Sequence, residues 1–83
     1  MVQRAKLIAK IRNNTRDVSF EDACKVAVWL GFLAGGGKGS HAAFSRPGEP
    51  TGLNFQNRGG KIPPYQARQL LAMIERYWTE GDD

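Results

Sequence analysis

His41 is the one histidine of the chain and Cys24 the one cysteine. A single His and a single Cys cannot assemble a His/Cys zinc site, and a paired-histidine acid–base mechanism has no second member. Acidic residues are scarce in the central region, where Glu49 falls in a turn. A glycosidase-type carboxylate pair and a carboxylate cluster for magnesium are therefore both disfavoured. Cys24 reads as a structural thiol, because it belongs to the apolar stripe of a helix. What remains is proton transfer by His41, since imidazole ordinarily titrates near pH 6.5, at about neutral pH. RNA carries its own nucleophile, the 2′-hydroxyl, so one well-placed proton-transfer group with basic neighbours is enough to cleave it. A histidine beside a glycine turn is also compatible with an ordinary surface residue.

The elements around His41 decide whether it can be presented. His41–Arg46 reads as a strand, with Ala42 and Phe44 on one side and His41, Ala43 and Ser45 on the other. If Phe44 faces the core, His41 faces solvent. A second strand, Leu53–Asn57, alternates in the same way and places Asn54 and Gln56 on the open face with His41. Residues 47–52 (Pro-Gly-Glu-Pro-Thr-Gly) read as the hairpin connection. Phe32–Gly35 is a third, weak strand, diluted by glycine.

Helices must cover the other face. Residues 3–12 are rich in helix formers, with Leu7, Ile8 and Ile11 at helical spacing, and Asn13-Asn14 is a stop at which left-handed backbone is tolerated. A helix over Phe20–Leu30 is capped by Ser19 with Asp22 three residues on. Phe20, Ala23, Cys24, Ala27 and Leu30 form its apolar stripe, and Gly31 closes it. After Pro63-Pro64 a third helix ends near Trp78. Ala67, Leu70, Leu71, Ile74, Tyr77 and Trp78 line its inner side, with Gln66, Arg68, Gln69, Glu75 and Arg76 opposite. The order helix, helix, three strands, helix predicts an α+β domain with helices on one sheet face. Trp29 and Trp78 suit packing or a protein interface better than base stacking.

The charge is unevenly spread. The net charge is +4, but three of the eight acidic residues lie in the last four positions, so residues 1–79 hold twelve basic against five acidic side chains. Such a body suits a polyanionic partner, nucleic acid first. Lys38 and Arg46 flank the His41 strand, while Arg58 and Lys61 flank Gly59-Gly60. That glycine pair, just before the last helix, is either a phosphate seat built on backbone N–H groups or a plain turn. The glycine-rich run 35–40 lacks Walker spacing and opens a strand, so nucleotide triphosphate binding is rejected. The 83 residues allow one domain. No membrane span and no secretory leader is expected, and the lone cysteine suits a reducing cytoplasm.

Several of these residues resemble the pattern of a known family. Gly31-Phe32, then Lys38-Gly39-Ser40-His41, then Phe44 are similar to the pattern of the HicA toxins, in which a helix ends in Gly-Phe and a G-S-H-H-x-F motif opens the second strand. Arg58-Gly59-Gly60-Lys61, the run from Pro64 to Leu71 and the run from Asp17 to Asp22 resemble a longer HicA-like subgroup, so the likeness covers roughly residues 15–78. It implies a double-stranded-RNA-binding-domain-like fold: a three-stranded antiparallel sheet with helices on one face, plus here an N-terminal helix. It further implies a metal-independent, cofactor-free endoribonuclease that cleaves mRNA as the toxin of a toxin–antitoxin system, with His41 as key residue and a HicB-type antitoxin as partner. Added to the basic face, it gives Lys38, Gly39, Ser40, Arg46, Arg58 and Lys61 as the RNA-contacting set. The domain would span 15–79, with a helical extension at 1–14 and an acidic tail at 80–83. Ala42 replaces the second histidine of the motif. Its parity with Phe44 assigns that change to packing.

Two rival readings remain open. One is a non-catalytic double-stranded-RNA-binding module of the same fold, disfavoured by Glu21 and Asp22 at the start of its helix. The other is a structural subunit whose basic face docks an acidic protein.

Overall fold

A computed structural model describes residues 3–37 and 39–79. Three helices, α1 (Gln3–Asn13), α2 (Phe20–Trp29) and α3 (Pro64–Tyr77), accompany three strands, β1 (Leu33–Ala34), β2 (His41–Arg46) and β3 (Glu49–Gln56). The strands form one antiparallel sheet in the order β1-β2-β3. The fold is thus α+β with an open three-stranded sheet. No described helix is long and apolar enough to cross a membrane.

One core joins all three helices to one face of the sheet. Ile8 and Ile11 of α1, Val26 and Ala27 of α2, Phe44, Leu53 and Phe55 of the sheet, and Leu70 and Ile74 of α3 are all buried in it. The helix within the expected 1–14 extension thus contributes Ile8 and Ile11 to this core. An isolated 11-residue helix is marginal in water, and burial of its two isoleucines supplies what propensity does not. Its end also differs from expectation. No described non-glycine residue has positive φ, and Asn14 instead turns the chain by accepting the Arg16 N–H on its Oδ1 at 3.0 Å.

α2 begins as its sequence requires, with Ser19 Oγ accepting the Asp22 N–H at 3.0 Å. Gly31 follows its end with φ 91°, and the Phe32 N–H returns to the Ala27 carbonyl at 3.0 Å. Cys24 is half-buried against the core, and that burial pushes its thiol pKa up. Trp29 packs against the core too, with the Arg4 guanidinium 5.1 Å from its ring centre.

The β2–β3 hairpin is tighter than the sequence suggests. Arg46 pairs with Glu49, leaving only Pro47-Gly48 as the turn, and the register shifts between Phe44 and Arg46. Proline cannot take the positive φ that a primed hairpin turn requires at its first position, whereas Gly48 adopts φ 85° at the second. That is a type II pattern, which splays the strands, and the shift in register absorbs the mismatch. β3 therefore starts at Glu49 instead of Leu53. Pro50 is tolerated because β3 is an edge strand. The third strand shrinks to Leu33–Ala34, although the Gly35 N–H still reaches the Ala43 carbonyl at 2.9 Å. The acidic tail at 80–83 lies outside the described residues.

Candidate functional site: the open sheet face

β2 and β3 expose one face and bury the other. Phe44, Leu53 and Phe55 point into the core, and His41, Ser45 and Asn54 are exposed. His41 opposes Gln56, and Ala43 opposes Asn54. The Asn57 N–H donates to the Ser40 carbonyl at 2.7 Å, so the ladder bonds flank the His41–Gln56 pair. In such a non-hydrogen-bonded pair the two side chains stand closest, with Cβ atoms about 4.5–5.5 Å apart.

Arg58 completes this cluster. Its Nη2 donates to Gln56 Oε1 at 3.0 Å, which brings a guanidinium to the carboxamide that faces His41. Behind β3, Gln66 of α3 accepts the Gln56 backbone N–H on its Oε1 at 2.8 Å. Gln66 was expected on the outer side of α3, yet it is 3% exposed. The edge of β3 would otherwise leave that N–H unpaired beneath the helix, and the glutamine satisfies it.

The loop before β2 lies directly on the backbone of His41. A Cβ on Gly37 would stand 2.6 Å from the His41 carbonyl oxygen and 2.9 Å from the Ala42 Cα, and Gly37 has φ 98°. Only glycine fits there. Gly39 and Ser40 are exposed in the turn that opens β2. Lys38 lies outside the described residues.

Two of the expected RNA-contacting cations are engaged elsewhere. Arg46 lies on the helix-covered side, where its Nε donates to the Leu30 carbonyl at 2.9 Å and its guanidinium stacks 3.9 Å from the Tyr77 ring centre. It shares parity with Phe44, so it cannot join His41 on the open face. Lys61 is ion-paired with Asp17. Two N–H groups of the Gly59-Gly60 loop that a phosphate seat would use are already engaged. The Gly60 N–H is taken by Asn57 Oδ1 at 2.7 Å and the Lys61 N–H by the Arg58 carbonyl at 3.2 Å. Pro63 and Pro64, at the start of α3, have no N–H at all.

A shallow pocket of about 200 Å³ is lined by Ser19, Phe20, Glu21, Asp22, Asn57 and Gly60. Its two carboxylates make it a poor seat for phosphate. Among the described residues no three His, Cys, Asp or Glu side chains converge to hold a metal ion.

The open face thus offers an imidazole and an amide in one cross-strand pair, with a guanidinium bonded to that amide. Comparison with family models, curated proteins and solved structures finds no match.

Proposed function

We propose that this chain is a metal-independent endoribonuclease of the HicA type, a toxin that cleaves mRNA on its open sheet face. The observation that carries the proposal is the exposed His41 opposite Gln56, with the Arg58 guanidinium held at 3.0 Å from that carboxamide. We extend the proposal to a double-stranded-RNA-binding-domain-like fold, for which the antiparallel sheet between α2 and α3 is the support.

The chemistry follows from what RNA supplies. His41 takes the proton of the 2′-hydroxyl as that oxygen bonds to phosphorus. The P–O5′ bond breaks, the departing oxygen takes a proton from solvent, and a 2′,3′-cyclic phosphate and a 5′-hydroxyl end remain. General base catalysis of this kind contributes about 10²–10⁴-fold, and a fixed cation stabilises the charge that builds on the phosphoryl oxygens. A HicB-type antitoxin would inhibit by covering the open face. Cleavage lost in a purified complex would support that part, and cleavage at the free rate would refute it.

The decisive experiment is incubation of purified protein with a single-stranded transcript, with and without excess EDTA. Cleavage is expected in both. A transcript bound but left intact would favour the RNA-binding module. Activity abolished by EDTA and restored by magnesium would overturn the metal-free mechanism.

Gly37 provides a second test of the same site. Gly37→Ala forces the loop off the His41 backbone, and misplacement of a catalytic group by an ångström costs up to about 10²-fold in rate. Cleavage should fall by on the order of tenfold or more, with amide chemical-shift changes centred on His41–Ala43. Unchanged shifts there would show that the loop does not set the position of His41.

A further inference from the structure

The polarity of the amide network behind His41 is fixed by its partners. A backbone N–H can only donate, so the Gln66 oxygen must face Gln56, and Gln66 Nε2 is left to donate to the Tyr65 hydroxyl at 3.1 Å. A guanidinium can likewise only donate, so the Gln56 oxygen must face Arg58. The Gln56 Nε2, with two N–H donors, is the end of that amide left over on the face it shares with His41.

Arg58 differs from the arginines that are ion-paired or lie on the covered side of the sheet. Arg12 is paired with Glu75 and Arg76 with Glu49, while Arg46 holds a carbonyl and an aromatic ring on the covered side. The partner of Arg58 is neutral. It is therefore ordered by a hydrogen bond without having its charge cancelled.

We infer that Gln56 and Arg58 form a phosphodiester seat beside His41, with buried Gln66 as the positioning residue that fixes the Gln56 backbone. The seat offers N–H donors and one positive charge, with its one acceptor already occupied. The ligand that complements it is an oxygen-rich anion with no donors of its own, which describes a backbone phosphodiester. The step that follows binding rests on the ribonuclease reading, but the seat itself does not.

The test uses a 2′-O-methyl oligoribonucleotide, which lacks the attacking hydroxyl and so reports binding alone. Arg58→Ala should weaken its binding by about tenfold. Gln56→Ala should do the same, and the double variant should lose less than the two single losses combined, because Gln56 both donates to the phosphodiester and orders Arg58. Gln56→Glu is the sharper variant. It keeps and strengthens the contact to Arg58 yet cancels its charge, so binding should again fall by about tenfold while the Arg58 Nε–H resonance stays sharp. A purely structural Gln56 would leave Gln56→Glu binding intact. Wild-type affinity in Gln56→Glu, or additive losses in the double variant, would overturn the seat. The readings separate cleanly: loss of binding in these variants with no cleavage of natural RNA by the wild type would keep the seat and remove the ribonuclease.

Discussion

His41→Ala is expected to slow RNA cleavage by about 10²–10⁴-fold and to leave thermal unfolding unchanged. Both halves follow from position. His41 is exposed at the first residue of β2, on the face opposite Phe44 and the core, and surface substitutions of that kind stay within about ±0.5 kcal/mol of wild type. The backbone there is held independently of the imidazole, through the Ser40 carbonyl and the Asn57 N–H. The variant therefore keeps the sheet, the Gln56–Arg58 pair and binding of the 2′-O-methyl probe, while losing the group that moves the proton. Cleavage kinetics and a melting curve on the same preparation check it. A folded His41→Ala protein that cleaves at the wild-type rate would end the assignment of His41. A variant that fails to fold would contradict the exposure on which the argument stands.

The face carrying His41 was legible in the sequence because strand alternation is strict. With Phe44 inward, His41 must be outward, and the observed pairing with Gln56 on the same face obeys the same period of two. That rule also assigns Arg46 to the covered side, since residues 42, 44 and 46 share parity. The charge of Arg46 points to RNA, but its parity takes it to the Leu30 carbonyl and the Tyr77 ring. Parity also explains the place of Glu49. Its run of proline and glycine suggests a long connection, but Glu49 has the parity of Leu53 and Phe55 and joins their buried face once β3 is extended.

Other features have no local signature. The pairing of Lys61 with Asp17 spans 44 residues, and neither side chain alone indicates it. Gln66 looks like a surface residue by helical periodicity until the edge of β3 is placed beside it and needs an acceptor. Ile8 and Ile11 did suggest an apolar stripe, but only the packed structure shows α3 and the Arg12–Glu75 pair at 2.8 Å meeting that helix. Sequence periods thus located the faces, whereas partners distant along the chain determined which polar residues those faces enclose.

Glu49 should give the largest stability effect of any polar residue, and the effect should depend on pH. Its carboxylate accepts from the Tyr77 hydroxyl, from the Thr51 N–H at 3.0 Å and from Arg76 Nη1 at 2.8 Å, with the side chain 1% accessible. The Tyr77 hydroxyl first, then the Thr51 N–H and the Arg76 guanidinium, hold its pKa down from the ordinary 4.5 to about 2. Arg46 stacks on the same Tyr77 ring while binding the Leu30 carbonyl, so one carboxylate ties the hairpin turn to the end of α3 and, through Tyr77, to the end of α2. A pKa lower in the folded state than in the unfolded chain means that ionised Glu49 stabilises the fold above pH 4.5. That contribution declines as pH falls and is gone below about 2. Glu49→Gln, which keeps the shape and loses the charge, should unfold at lower denaturant than wild type at pH 7, and the gap should close between pH 4.5 and about 2. Glu49→Ala should be worse at every pH in that range, because it strips partners from the Tyr77 hydroxyl and the Thr51 N–H together. By contrast, Asp17→Ala removes an exposed pair worth under about 1 kcal/mol and should show a far smaller change. Because Glu49 lies at the turn end of the hairpin and His41 at the other, Glu49→Gln should still cleave RNA at the wild-type rate wherever it remains folded. Unfolding curves for Glu49→Gln and wild type that stay equally separated from pH 7 to pH 2 would show that the carboxylate is not the titrating clamp.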